Sequence, residues 1–297
     1  MKQYRVIYLD AFTTQPFSGN PCAVLPDARG LSDEQMQAIA RETNLPETAF
    51  VFPSDKADFA VRYFTPRYEL PFAGHPTIAT SFMMAQEGMI ELSGSMKTIQ
   101  LEFKVGVLPV DIQIQDGKPV KAIMTQKLPV FGKTCTLAET APCFGLEMSD
   151  LRDDCPIQVV STGVEFLVVP AKSLSVLEKV KMNRDLLGDL TKRLGINAAF
   201  MYCLGGFAAD ADTHERLFDP NGTMEDPYTG SAAGCMGAHI IQYGLKSGPF
   251  IKAEQGHFVN RPGEGVLEIQ GKPDAITSVK LGGAAVKVLD GFIFVND

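Results

Sequence analysis

Phe72-Ala-Gly-His-Pro-Thr-Ile-Ala-Thr-Ser-Phe-Met-Met-Ala85 contains no Asp, Glu, Lys or Arg. Pro76 suits the first position of a helix, where its missing N–H costs nothing. A helix from there through Ala85 would be apolar on every side, and such a helix belongs in an interior. A second stretch of the same kind, small and apolar, begins at Gly230-Ser231 and runs to Tyr243. Two buried helices in one chain call for two enclosing walls.

The flanking sequence supplies them twice. Gly19-Asn-Pro-Cys-Ala-Val-Leu-Pro26, Thr48-Ala-Phe-Val-Phe52, Arg62-Tyr-Phe-Thr-Pro66 and Gly74-His-Pro-Thr77 follow one another in the first half. Gly163-Val-Glu-Phe-Leu-Val-Val-Pro170, Ala198-Ala-Phe-Met-Tyr202, Arg216-Leu-Phe-Asp-Pro220 and Gly230-Ser-Ala-Ala233 follow in the second. The spacing between partners drifts only from 144 (Gly19 to Gly163) to 156 (Gly74 to Gly230). Four matches in register point to a duplicated domain. Tyr4–Leu9, Ala23–Leu25, Thr48–Phe52 and Phe59–Phe64 have the β-branched and aromatic character of strands. Ser32-x-x-Gln35 is a capping box opening an amphipathic helix, with Met36, Ile39 and Ala40 inward. Gln115-Asp-Gly-Lys118 reads as a hairpin turn. The expected class is α/β (α+β): two pseudo-symmetric halves, each a strand barrel around a central buried helix.

Composition narrows the function. The chain has 297 residues, enough for about two domains, and a formal net charge of −8. Nucleic acid and anionic membrane both demand concentrated Lys and Arg, so neither is an expected partner. No apolar run reaches the roughly 18 residues of a membrane span, and residues 1–14 do not form a signal peptide; a cytoplasmic location follows as the expectation. The six cysteines and four histidines show no metal-ligand spacing, and no Walker A or G-x-G-x-x-G loop occurs. No metal and no cofactor is expected.

The helix starts at Gly74-His75 and Gly230-Ser231 turn free N–H groups and a positive dipole end inward, which suits a small carboxylate. Two acids accompany them: Glu47, entering a strand, and Asp226, ahead of Gly230. A lone Glu before a strand is commonly a solvated surface charge, and Ser231 and His75 serve equally well as helix caps. Those alternatives stay open on the residues alone.

Asp10-Ala-Phe-Thr13, Gly19-Asn-Pro21, Pro46-Glu-Thr-Ala-Phe50, Phe64-Thr-Pro66, Phe72-Ala-Gly-His-Pro76 and Glu225-Asp-Pro-Tyr-Thr-Gly-Ser-Ala-Ala-Gly234 resemble the PhzF-like proteins of phenazine biosynthesis. The resemblance implies the diaminopimelate-epimerase-like fold, paired as a homodimer, with the active site in a cleft between the halves. It places the first domain at 1–117 with about 283–297 and the second at 118–282. It implies an isomerase that moves a proton on a small cyclic or aromatic-like carboxylate without a cofactor. Glu47 matches the general acid/base, His75 and Asp226 the other catalytic polar residues, and Gly74, Gly230 and Ser231 the substrate-binding groups. Asn20 matches a substrate contact, although a turn residue before Pro21 is an equal reading. A carboxylate can carry such a proton if burial raises its pKa toward neutrality. The related racemases place a thiol ahead of each central-helix glycine; here those positions are Ala73 and Thr229, which disfavours two-thiol chemistry. Two rivals remain: a Ser231/His75/Asp226 hydrolase, which lacks the G-x-S-x-G elbow, and a catalytically silent small-molecule binder.

Overall fold

The computed structural model describes residues 1–296. In chain order the first elements are β1 (Lys2–Ala11), β2 (Asn20–Leu25), α1 (Asp33–Thr43), β3 (Glu47–Phe52) and β4 (Phe59–Phe64). Next come β5 (Glu69–Leu70), α2 (Gly74–Gln86), β6 (Met96–Phe103), β7 (Gly106–Gln115) and β8 (Lys118–Thr125). Then follow β9 (Val130–Cys135), α3 (Leu137–Thr140), β10 (Ile157–Ser161), β11 (Glu165–Pro170), α4 (Leu174–Lys179) and α5 (Arg184–Leu194). The remainder is β12 (Ala199–Leu204), β13 (Thr213–Phe218), α6 (Gly230–Gln242), β14 (Phe250–Gln255), β15 (Gly263–Lys272), β16 (Ala275–Gly283) and β17 (Ala285–Val295). The chain divides into two compact units, Met1–Met124 with Gly282–Asp297, and Thr125–Leu281.

In the first unit the strands pair in the order β17-β1-β2-β3-β4-β6-β7-β8, with β2–β3 and β4–β6 parallel and the others antiparallel. In the second the order is β9-β10-β11-β12-β13-β14-β15, with β11–β12 and β13–β14 parallel. The same alternation of parallel and antiparallel steps occurs in both, as the sequence repeat predicts. Each wall encloses one thirteen-residue helix that begins at a glycine.

α2 and α6 are buried nearly all round, from His75 to Ala85 and from Ala232 to Ile241. The four large apolar side chains of α2 (Ile78, Phe82, Met83 and Met84) are almost fully enclosed. Removing them from water contributes roughly 6–12 kcal/mol before the entropy of ordering is charged. Pro76 occupies the third helical position, not the first, because α2 begins at Gly74. The difference is harmless, since the third N–H of a helix also has no intrahelical acceptor. α1 has the expected Ser32–Gln35 capping box and buries Met36, Ile39 and Ala40. The β7–β8 hairpin turns through Asp116 and Gly117, both at positive φ, as a two-residue primed turn requires.

The arginine of each repeat is held the same way. Arg62 on β4 forks onto Glu69, and Arg216 on β13 forks onto Glu225.

Candidate active site

In the first unit the Gly19-Asn-Pro21 motif, the entry to β3 and the start of α2 meet. Gly19 has φ +57° beside the Ala11 carbonyl, and β1 pairs Ala11 with Asn20, so Asn20 starts β2 fully buried. The parallel β2–β3 step then aligns Cys22 with Glu47. His75, the second residue of α2, lies between: its Nδ1 is 3.3 Å from Asn20 Nδ2 and its Nε2 is 3.1 Å from Glu47 Oε2. The second contact is oriented short of a proper hydrogen bond. Glu47 is 16% exposed and His75 8% at the side chain.

Burial pushes the His75 imidazole down to about 3, against a partly opposing hydrogen bond to the Pro21 backbone. The ring is therefore neutral at pH 7, and its contact with Glu47 is not an ion pair. The Pro21 backbone has no N–H, so the hydrogen bond there is one that the ring N–H donates to its carbonyl. A carboxyl group next to a neutral imidazole, largely shielded from water, can exchange a proton with a bound carbon acid.

In the second unit the turn before α6 is built from Asp226, Thr229 and a residue the sequence did not reveal, Gln255. Thr229 Oγ1 donates to Asp226 Oδ2 at 2.5 Å. Gln255 accepts from the Thr229 N–H at 2.9 Å and donates to the Asp226 carbonyl at 2.8 Å. Gly230 is buried and Ser231 half-buried. Gln126 and Thr162 support them from below: Gln126 Nε2 donates to the Gly230 carbonyl at 2.9 Å, and Thr162 donates to Gln126 Oε1 at 2.5 Å. A Cβ on Gly234 would lie 1.9 Å from Gln126 Oε1, so that glycine makes room for the amide. No local pattern betrays Gln126, Thr162 or Gln255, since each acts across the sheet. Neither Ala73 nor Thr229 caps its helix through its side chain.

The cysteines are poorly placed for acid/base work. Burial and the neighbouring Glu47 carboxylate push the Cys22 thiol well up, and burial pushes Cys235 up to about 11. Among the described residues no cluster of three His, Cys, Asp or Glu side chains is arranged to hold a metal. No described helix is long and apolar enough to cross a membrane.

Residues 9–291 match the model of the family described as phenazine biosynthesis-like protein. The chain belongs to this PhzF family. It is 32% identical to the trans-2,3-dihydro-3-hydroxyanthranilate isomerase of Pseudomonas aeruginosa, over 97% of this chain and 98% of that one. It is 35% identical to an uncharacterized isomerase of Clostridium acetobutylicum over the full length of both. A solved PhzF-family structure from Bacillus anthracis superposes with a TM-score of 0.90 at 32% identity, covering 99% of this chain and 100% of that one. A probable proline racemase from Agrobacterium radiobacter shares the fold at 14% identity and a TM-score of 0.64, over 99% of this chain and 93% of that one. This PhzF-family protein is an isomerase with the epimerase-type fold.

Proposed function

We propose that the protein is a cofactor-independent isomerase that moves a proton on a small cyclic or aromatic-like carboxylate, with Glu47 as general acid/base. One observation carries the reading: Glu47, His75 and Asn20 form a water-shielded dyad with its support, in which a carboxyl group meets a neutral imidazole at 3.1 Å. The Pseudomonas aeruginosa relative's isomerase activity on trans-2,3-dihydro-3-hydroxyanthranilate supports the substrate class.

In the proposed step the Glu47 carboxylate takes a proton from the carbon activated by the substrate's unsaturation. The electron pair shifts along the conjugated system, and the same carboxyl returns the proton at the far end. Charge on the substrate is maximal midway, where the helix N–H groups at Gly74 stabilise it. In the second unit Ser231 offers a hydroxyl to a carboxylate, and Asp226 fixes the turn before Gly230. The reading includes a cytoplasmic homodimer, which sedimentation of the purified protein tests.

The decisive experiment incubates the protein with trans-2,3-dihydro-3-hydroxyanthranilate in deuterated water and follows the product by mass spectrometry. Wild type should isomerise the compound, with deuterium in the product only where Glu47 exchanges its proton with solvent before returning it, and Glu47→Gln should not isomerise it. Failure of wild type to isomerise the compound, or equal turnover in the variant, would overturn the assignment.

A further inference from the structure

The polar groups of the second unit extend past the turn. Glu215, in the middle of β13, is 0% exposed. Its Oε1 accepts a 2.5 Å hydrogen bond from the Thr213 hydroxyl, while its Oε2 is buried with no hydrogen-bond partner. The register sets it between Tyr202 on β12 and Gln255 on β14, and residues paired across strands share a face. That face is the inner one. The Tyr202 hydroxyl reaches His239 Nδ1 on α6 at 3.1 Å, and Gln255 holds the turn of Asp226 and Thr229. Glu215 therefore stands in the wall between Tyr202, which reaches the last turn of α6, and Gln255, which holds the turn before its first.

The fold does not require an acid there. In the first unit the residue preceding the repeat's arginine is Val61, buried opposite Val51. Phe72, two residues ahead of the α2 glycine as Tyr228 is ahead of the α6 glycine, packs edge-on against Phe103 at 5.2 Å. One copy thus lines this wall with apolar groups; the other uses Glu215, Gln255 and Tyr228. A buried carboxyl with an unbonded oxygen is destabilising, so its presence in only the copy that carries Asp226 and Ser231 points to a role in that half of the site.

We propose that Glu215 is a positioning residue for the α6 end of the site: as a neutral acid it backs the Asp226–Ser231 turn, and when ionised it repels a carboxylate ligand from the helix N-terminus. This rests on the reading of Gly230 and Ser231 as the place of the substrate's anion, and deepens it. The surrounding groups agree. Burial pushes the Glu215 carboxyl up to about 8, and Glu254 on β14 pushes it the same way. Burial chiefly, with Glu215 among the lesser causes, pushes up Cys203 on β12 and Tyr228 before α6, and Glu264 on β15 acts on Tyr228 alike. None of these neighbours is a cation that would hold Glu215 ionised.

The test compares wild type, Glu215→Gln and Glu215→Val, the last borrowing the first unit's residue. In ligand-free protein, NMR should show the Glu215 carboxyl and the Gly230 and Ser231 amides titrating together near pH 8, and the amide titration should vanish in both variants. Anthranilate binding by calorimetry should weaken in wild type by about tenfold per pH unit above that point, as the neutral form is depopulated, and Glu215→Gln should abolish this limb. Amides that ignore the carboxyl, or an alkaline limb that persists in Glu215→Gln, would overturn the proposal. If wild type binds no anthranilate at any pH, the anion-site reading falls, and the amide titration still decides Glu215.

Discussion

Arg216 stands to Glu225 as Arg62 stands to Glu69: two bidentate forks, at 2.7–2.9 Å, in matched places of the two copies. Each guanidinium also lies over the phenylalanine two residues on, at 5.2 Å for Phe64 and 4.9 Å for Phe218. The copies differ in enclosure. Arg216 is 13% exposed and also donates to the Leu177 carbonyl, while Arg62 is 30% exposed and also pairs with Asp33.

From that difference, Arg216→Met should cost about 2–4 kcal/mol and Arg62→Met about half as much, because a stranded carboxylate costs more where water is scarcer, and Glu69 keeps Lys104. Urea unfolding monitored by circular dichroism measures both. Equal costs would mean that enclosure is not what decides these pairs.

Glu47→Gln preserves shape while removing the base, so turnover should fall by about 10²–10⁴ with anthranilate binding retained. Asp226→Asn should instead raise KM, through the turn that Thr229 and Gln255 brace. Near-normal turnover in the first variant ends the acid/base role of Glu47; unchanged kinetics in the second removes Asp226 from the site.

The double variant Cys22→Ala, Cys235→Ala should stay active, since neither thiol precedes a central-helix glycine and burial keeps both protonated. Loss of activity in a folded double variant would restore a thiol mechanism.

Gly19→Ala should be among the most damaging single substitutions. Its Cβ would lie 2.1 Å from the Ala11 carbonyl oxygen, at φ +57°, and the next residue, Asn20, is paired with Ala11. A loss of more than about 3 kcal/mol is expected, with Asn20 displaced from His75. A cost under about 1 kcal/mol would show that the β1–β2 loop adapts.

Stability should peak on the mildly acidic side of neutrality. His75 and His214 are pushed down to about 3 and His239 to about 4, mainly by burial. As pH falls below 6.5 the unfolded chain gains these three protons and the folded chain does not. Glu215, up at about 8, binds one proton in the folded chain that the unfolded chain lacks above about 4.5. The net difference near pH 5 is about two protons, so stability drops by roughly 2–3 kcal/mol per pH unit on acidification. Above pH 6.5 only Glu215 acts, and stability declines as pH rises toward 8. Thermal melts from pH 4.5 to 8.5 check both slopes; a flat profile below pH 6.5 would contradict the buried-histidine account.

The elements legible in the sequence are those whose cause is local. The Ser32–Gln35 box, the Asp116-Gly117 turn and the charge-free stretch of α2 each state their structure within a few residues. The duplication was legible because matched motifs kept their order. Glu47 and His75 could be nominated only through family resemblance, since a Glu entering a strand has no local signature; their 3.1 Å contact arises from a parallel strand step and a helix start far apart in the chain. Gln126, Thr162, Gln255 and Glu215 were invisible for the same reason. Their significance lies in which wall they line, and that is fixed by register between strands up to 40 or more residues apart.

β1 and β17 pair along nearly their whole lengths, so the opening strand of the first unit finds its outer neighbour in a segment made only after the second unit. All of Thr125–Leu281 is translated in between, which at ordinary elongation rates takes roughly ten to thirty seconds. The second unit therefore has its complete set of strands on the ribosome before the first does. For that interval the first unit lacks its closing strand, and β1 presents an unpaired edge.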